Sequence, residues 1–289
     1  MSGSLTKLYE AIGISKQGVH KLLNNYELSQ ERRGQLLIII HQIRQNHPTM
    51  GMRDMYYKIN PEGMGRDAFE AFCTKEGLRS KAHKNYKRTT DSSGVIRFEN
   101  LLESTEIRRI NQVWQSDITY YELGDKFYYL TFIIDAYTRR IVGHNTSMSL
   151  STQMTTLPSL KRAVRIRKDQ DLKGLILHSD GGGQYYAKEF VKYTKELGLV
   201  NSMCEYAWEN GKAERINGII KNNYLKHRNI SNYEDLVKEV DRSVKLYNED
   251  KPHLMLGRMS PVTFEEKCIH LNKQTQLKMT ESLEATLRF

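Results

Sequence analysis

The sequence predicts an α/β domain on a mixed five-stranded sheet with flanking helices, preceded by an all-α region. Three observations predict it. The first part of the chain reads as helices punctuated by Gly13, Pro48 and Gly77. From Gln112 the chain turns rich in Tyr, Ile, Val, Thr and Phe. After Ser151 helical and extended segments alternate, which implies helices packed on a sheet that contains parallel strands.

Residues 6–26 read as two short helices around Gly13, with Ser15 able to cap the second. Leu8, Ala11, Ile14, Val19, Leu22 and Leu23 would share a small core. That pattern fits a helix-turn-helix, or equally an ordinary helical hairpin. Residues 31–46 form a helix that stops before Pro48. Met52–Ile59 and Arg66–Glu76 follow as shorter helices across the turn NPEGMG, and Gly77 ends the second. Arg66–Glu76 holds the place of a recognition helix. Residues 89–100 have the Thr, Ser and Gly content of a linker.

Gln112–Glu122 and Lys126–Asp135 form a hairpin across Gly124-Asp125, and Arg139–Ser147 is a third strand. Thr152–Arg167 is a helix, Gly174–His178 a strand, Lys188–Leu197 a helix and Leu199–Met203 a strand. A last helix runs from about Lys212 to His227 after Asn210-Gly211. The order β-β-β-α-β-α-β-α is that of a ribonuclease-H-like domain. The expected segments are 1–26 (helix-turn-helix-like), 27–88 (helical), 89–108 (linker), 109–269 (the α/β domain with a C-terminal helix) and 270–289 (tail).

Charge narrows the function. In 289 residues, 44 Lys+Arg against 34 Asp+Glu give +10, which favours a polyanionic partner such as nucleic acid over a merely soluble basic surface. The excess is +5 over residues 1–108, +4 over 109–225 and +1 beyond. Arg79–Arg88 and Lys161–Lys168 each carry five positive charges and no acid. Cys73, Cys204 and Cys268 form no CxxC, which argues against a disulfide framework or a Cys-rich zinc site and fits a reducing cytosol. The longest apolar run, Leu36–Ile40, is far short of the ~18 residues of a membrane span. No secretory signal is visible, so a cytoplasmic, DNA-associated protein without membrane contact is expected.

Chemistry concentrates in Asp117, Asp180 and Glu214. Asp117 is mid-strand, with Gln115 and Thr119 on its face and Trp114, Ser116 and Ile118 on the other. Asp180 follows the strand GLILH at its carboxyl end, where open α/β sheets place their sites, and three glycines follow it. Glu214 is in the first turn of the helix after Asn210-Gly211. Neighbouring buried carboxylates are costly unless cations neutralise them. Magnesium accepts a few carboxylates plus water and phosphate oxygens, and two such ions suit phosphoryl transfer. Singly, each acid reads as a turn, cap or dipole residue. Asp135 competes as the end of an apolar strand, but DAYTRR reads as a turn with Arg139 or Arg140 as salt-bridge partner; Glu205 and Glu209 compete for the third place.

The ordered set WQSDITY, HSDGGGQY, NGKAERING and YNEDKPHLMLGRMSP resembles the DDE transposases related to retroviral integrases. It is most similar to the second-frame product of bacterial insertion sequences of the IS-three family. Tyr247, Asn248, Pro252, His253, Leu256, Gly257, Ser260 and Pro261 match the tail motif. The resemblance spans roughly residues 8–266 and includes HPTMGMRDMYYKI and GRDAFEAFCTKEGLRSK, similar to the family's helical DNA-binding region. The 33 residues between Asp180 and Glu214 are slightly fewer than in the family pattern, and the HHCC zinc unit of retroviral integrases is absent.

The resemblance implies cleavage of insertion-sequence ends and strand transfer by a DNA 3′-hydroxyl. Asp117, Asp180 and Glu214 would be catalytic and hold Mg²⁺, with Mn²⁺ as substitute and two ions in play. Simple nuclease action without joining, or a non-catalytic DNA-binding derivative, are the alternatives. Double-stranded DNA, a homo-oligomer on it and a first-frame partner or fusion are the implied partners. Lys221, Arg215, Asn217, Arg79, Lys81, Lys84, Lys87 and Arg88 are the DNA-contact candidates. Residues 214, 218, 221 and 225 share a helical face, which puts Lys221 where phosphate would run, or leaves it a solvated lysine. Tyr206 and Trp208 would anchor their loop or stack on an unpaired base.

Overall fold

The computed structural model describes residues 7, 9, 11–80, 97–204 and 207–271. The chain divides into two compact units, Met1–Ser80 and Lys81–Phe289.

In the first unit, α1 (Lys16–Asn46), α2 (Met52–Ile59) and α3 (Arg66–Lys75) enclose Leu36, Ile40, Met50, Met55, Phe69, Phe72 and Cys73. Ser15 caps α1 as expected, its hydroxyl accepting from the Gly18 amide at 3.1 Å. The expected boundary between 1–26 and 27–88 does not exist, because α1 runs unbroken through it. No proline interrupts residues 16–46, and Gly34, at ~1 kcal/mol against Ala, is too weak a breaker to stop a long helix. Gly77, at φ +69°, ends α3, and the Leu78 amide reaches back to Cys73 O at 2.8 Å.

The second unit holds β1 (Val113–Leu123), β2 (Lys126–Asp135), β3 (Ile141–Ser147), β4 (Ile176–Ser179) and β5 (Val200–Met203) in one sheet of order β3-β2-β1-β4-β5. The first three strands are antiparallel; β4 and β5 run parallel to β1. α4 (Thr156–Ile166) and α5 (Lys188–Glu196) make the crossovers. α6 (Gly211–Ile219) and α7 (Tyr233–Glu249) cover the opposite face. The expected sheet and flanking helices are therefore present.

β2 shows why its sequence is almost continuously apolar. Leu130, Phe132 and Ile134 pack against α6 and α7, while Ile133 packs with Trp114, Val142, Leu160 and Leu177 on the other face. A strand buried on both faces has no polar side to present. Gly143 on β3 admits α4: a Cβ there would stand 2.3 Å from the Ser159 carbonyl.

Several boundaries differ from the sequence reading. The helix expected from Thr152 starts at Thr156, because residues 151–155 turn through a Thr155 N–H to Ser151 O bond of 3.0 Å. The helix expected over 212–227 is α6, then a π segment Ile220–Tyr224, then a 3₁₀ turn Leu225–His227. The linker expected over 89–108 is not free at its described end: the Leu101 amide donates to Ser202 Oγ at 3.0 Å and Arg97 lies over the Tyr186 ring at 5.1 Å. Asp135 does sit in a turn, but the guanidiniums of Arg139 and Arg140 do not pair with its carboxylate. It accepts from the amides of Asn111, Tyr137 and Thr138 at 2.8–2.9 Å.

The tail motif is anchored in this unit. Asn248 on α7 grips the β3 edge with both side-chain atoms, accepting from the Ile141 amide and donating to its carbonyl at 2.9 Å each. Ser260 caps the helical residues 261–271 by accepting from the Thr263 amide at 3.2 Å, with Pro261 in the first turn. From that helix Glu265 receives both Arg167, at 2.6 Å to each oxygen, and Arg140 at 2.6 Å. Burial alone would raise its pKa, but the two guanidiniums hold it below the usual carboxylate value. Arg167 is 1% exposed, so Glu265→Ala leaves a buried cation alone. The expected loss is about 3–5 kcal/mol, read as a lowered urea midpoint with unchanged slope.

Candidate active site

β4 runs parallel beside β1 with Ser179 opposite Ser116. That register sets Asp117 and Asp180 at adjoining positions, one residue further along. Asp180 leaves the carboxyl end of β4 into the glycine loop, where its Oδ1 accepts from the Gly182 amide at 3.2 Å. A Cβ at Gly182 would stand 3.0 Å from Asp180 Oδ1 and 3.1 Å from Gln184 Oε1, so the loop closes tightly because this residue is glycine. Beneath it, buried Tyr185 exchanges a 2.9 Å hydrogen bond with Ser116.

α6 and the residues flanking it lie along β1 and join it by three polar rungs. Asn210 Nδ2 donates to Ser116 O at 2.8 Å. Asn217 Nδ2 donates to Asp117 Oδ2 at 2.6 Å. Lys221 Nζ donates to Thr119 Oγ1 at 2.6 Å and to Tyr120 O at 3.2 Å, and sits 5.3 Å from the Tyr120 ring centre. Glu214 is in the first turn of α6, on its exposed side.

The three acids form one electrostatic cluster. Burial raises the Asp117 pKa well above the carboxylate norm, and Asp180 and Glu214 raise it further. Asp180 is raised by burial, opposed by the Gly182 amide. Glu214 is raised by burial and then by Asp180. Among the described residues no three His, Cys, Asp or Glu side chains are gathered closely enough to hold a metal ion unaided. Asp117 and Asp180 still suit magnesium, which takes one or two carboxylates and fills its shell with water and phosphate oxygens. Nearby Cys204 is no competing soft ligand: burial, then Asp180, pushes its thiol up to about 12.

The DNA-contact candidates fare unevenly. Asn217 is 6% exposed and committed to Asp117, which corrects its place among the DNA contacts. It lies one turn beyond Glu214, on the side of α6 that meets the sheet. Lys221 is half-buried beside Asp117 rather than solvated. Arg215 and Arg79 are exposed. Lys81, Lys84, Lys87, Arg88, Glu205, Tyr206 and the Trp208 side chain lie outside the described residues. The rungs were readable in principle, since 210, 217 and 221 are spaced by seven and four and so share one helical face.

The sheet order and the carboxylates at the β1 and β4 positions define a ribonuclease-H-like domain. Residues 108–207 match the family model described as Integrase core domain, and residues 199–261 match a second model of that description. The chain is 28% identical over 268 residues to the 31 kDa protein of insertion element IS600 from Shigella sonnei, covering 89% of this chain and 97% of that one. It is 30% identical over 234 residues to the putative transposase of IS986/IS6110 from Mycobacterium tuberculosis, covering 76% and 82%. Among solved structures, the HTLV-2 integrase catalytic core domain in complex with magnesium is similar at 19% identity and a TM-score of 0.44, over 54% of this chain and 96% of that one. The chain belongs to the insertion-sequence transposases of the integrase-like superfamily.

The raised Asp117 pKa has a consequence for stability. An acid whose folded pKa is raised favours folding below its unfolded pKa, and that contribution is lost as pH rises through the folded value. In chelator, Asp117→Asn is therefore expected to melt above the parent at pH 7–8, with the gap closing toward pH 4. Melting curves across that range check it; a variant that melts lower at neutral pH contradicts the cluster.

Proposed function

We propose that this transposase cuts insertion-sequence ends and joins them to target DNA by magnesium-dependent phosphoryl transfer at Asp117, Asp180 and Glu214. The observation that carries the reading is the convergence of three carboxylates, each raised by burial and two of them also by a neighbouring acid, from the middle of β1, the carboxyl end of the adjoining parallel strand β4 and the first turn of α6. Unneutralised, that arrangement is unfavourable; a divalent cation with a phosphodiester relieves it.

Asp117 and Asp180 would hold the metal, with Glu214 reaching in from the rim. Bound there, magnesium supplies charge neutralisation for the attacking and leaving oxygens. Asn217 keeps Asp117 oriented through its 2.6 Å bond. In cleavage, water attacks the phosphorus and the bond to the 3′-oxygen breaks, freeing a 3′-hydroxyl. In joining, that hydroxyl attacks a target phosphodiester and a new 3′-oxygen leaves. No covalent protein–DNA intermediate is required. Lys221 would meet a phosphate, a reading supported by its position beside Asp117. Arg215 and Arg79, with Lys81, Lys84, Lys87 and Arg88, are proposed as further DNA contacts, and strand transfer calls for two ends held by more than one copy of the chain.

Oligonucleotides built from inverted repeats flanking the coding sequence, incubated with the protein in Mg²⁺ or Mn²⁺, test the chemistry. Nicked and joined products are expected from the parent. Asp180→Ala and Glu214→Gln should lose both while still binding the DNA; retained metal-dependent activity in Asp180→Ala refutes the assignment. Nicking without joining would point to a nuclease or to a missing first-frame partner. Separately, Lys221→Ala should flatten the salt dependence of DNA binding by about 0.9 in log–log slope, the equivalent of one phosphate.

A further inference from the structure

Several buried or partly buried arginines in the second unit have a carboxylate. Arg140 and Arg167 share Glu265, and Arg228 faces Glu239 at 3.4 Å. Arg139, Lys212 and Arg215 do not. None of the three side chains makes a hydrogen bond or ion pair among the described residues, although Arg139 and Lys212 are half-buried. Their charged neighbours are mostly one another: Arg139 feels Arg215 as a like charge, and Lys212 feels Arg139. Asp135 also reaches Lys212, but its oxygens are already occupied by three backbone amides.

The fold holds these cations together at some cost. Arg139 sits at the β2–β3 turn in the left-handed region, φ +64°, a conformation that is unfavourable for a non-glycine residue. Its backbone is pinned by the Arg139 amide to Asp135 O at 2.9 Å, and Asn248 fixes Ile141 two residues on. Lys212 and Arg215 are i,i+3 neighbours at the start of α6, so they share a face beside the one that carries Glu214. Behind them the tail motif packs Tyr247 edge-on to His253, ring centres 4.7 Å apart. Burial, then Lys251, then Arg139 and Arg215 push that histidine down to about 3, so it adds no charge to the cluster.

We infer that Arg139, Lys212 and Arg215 form a phosphate-binding subsite for the DNA backbone, built by the β2–β3 turn, the start of α6 and the tail motif. It rests on the proposed DNA chemistry and extends it. Lys221 lies nine residues further along the same helical segment, about 13 Å by α-helical rise. Cations thus stand at both ends of the α6–β1 contact, with Asp117 and Glu214 between them. A DNA strand crossing the carboxylates meets a neutralising group before and after the bond to be broken. The tail motif then serves as a buttress that keeps Arg139 facing the start of α6.

The test compares the full chain with the triple variant Arg139→Asn, Lys212→Gln, Arg215→Gln; asparagine is chosen because it tolerates the left-handed backbone. Binding of inverted-repeat duplex is followed by fluorescence anisotropy in EDTA from 50 to 200 mM salt. The variant's log–log slope should be shallower by about 0.9 for each phosphate that is no longer neutralised, on the order of two in all. The charge-keeping pair Lys212→Arg, Arg215→Lys should retain the parent slope. A steep parent slope shared by the triple variant overturns the subsite and leaves the transposase chemistry standing. A parent that binds without salt dependence overturns the DNA reading beneath both. Thermal unfolding gives a second arm: inorganic phosphate should raise the parent's Tm and not the variant's, while the variant, relieved of like-charge repulsion, should melt no lower than the parent without phosphate. A lower melting point would show that the cations stabilise the empty fold, and would overturn the inference.

Discussion

The constraint on which this structure turns is the confinement of like charges. Asp117, Asp180 and Glu214 repel one another in a partly desolvated setting, and each would be more comfortable apart. What keeps them together is apolar. Leu130, Phe132 and Ile134 bind β2 to α6 and α7, and Trp114, Leu160 and Leu177 bind the other face to α4 and α5. The carboxylates ride on elements whose positions are decided by burial, so their repulsion has no soft coordinate along which to relax. The Asn217–Asp117 bond is the last element of that confinement, fixing one oxygen of the most buried acid.

A second layer of electrostatics surrounds the first. The helical segment that brings Glu214 also carries Lys212, Arg215 and Lys221, so one acid stands among three cations. A carboxylate pair suits a cation, and its flanks suit the anion that the cation binds. The acidic and basic groups do not cancel by pairing with each other, since Lys221 spends its protons on Thr119 and Tyr120 and the other cations have no carboxylate among the described residues. Such separation is unhelpful to a resting protein and useful to one whose substrate is a metal–phosphate assembly.

Much of this was legible in the sequence because the physics is local. β2 had to be buried on both faces because its run is continuously apolar. Alternation around Asp117 gave the correct face, and the short strand GLILH announced where Asp180 would emerge. What escaped depended on partners distant in sequence. Asn217 looked like a surface polar residue until α6 was laid against β1. Arg167 looked like one of five charges in a basic stretch, and is buried on Glu265, 98 residues away. α1 was divided because residues 6–26 read as a separate helix-turn-helix-like segment and 31–46 as a helix of its own, whereas no proline interrupts the chain between them. The π segment at Ile220–Tyr224 leaves no composition signal.

The strip of chain ahead of the sheet has one more consequence. β5 is a border strand of four residues, and among the described residues no sixth strand pairs with its outer amides and carbonyls. Glu99 O receives the Met203 amide at 3.4 Å, and the Leu101 amide goes to Ser202, so an irregular segment occupies that border. A border closed in this way gives a second copy of the chain no template for strand pairing. A shortened chain begun at residue 109, as composition alone would recommend, uncovers it and invites aggregation. One begun at 97 keeps that border covered.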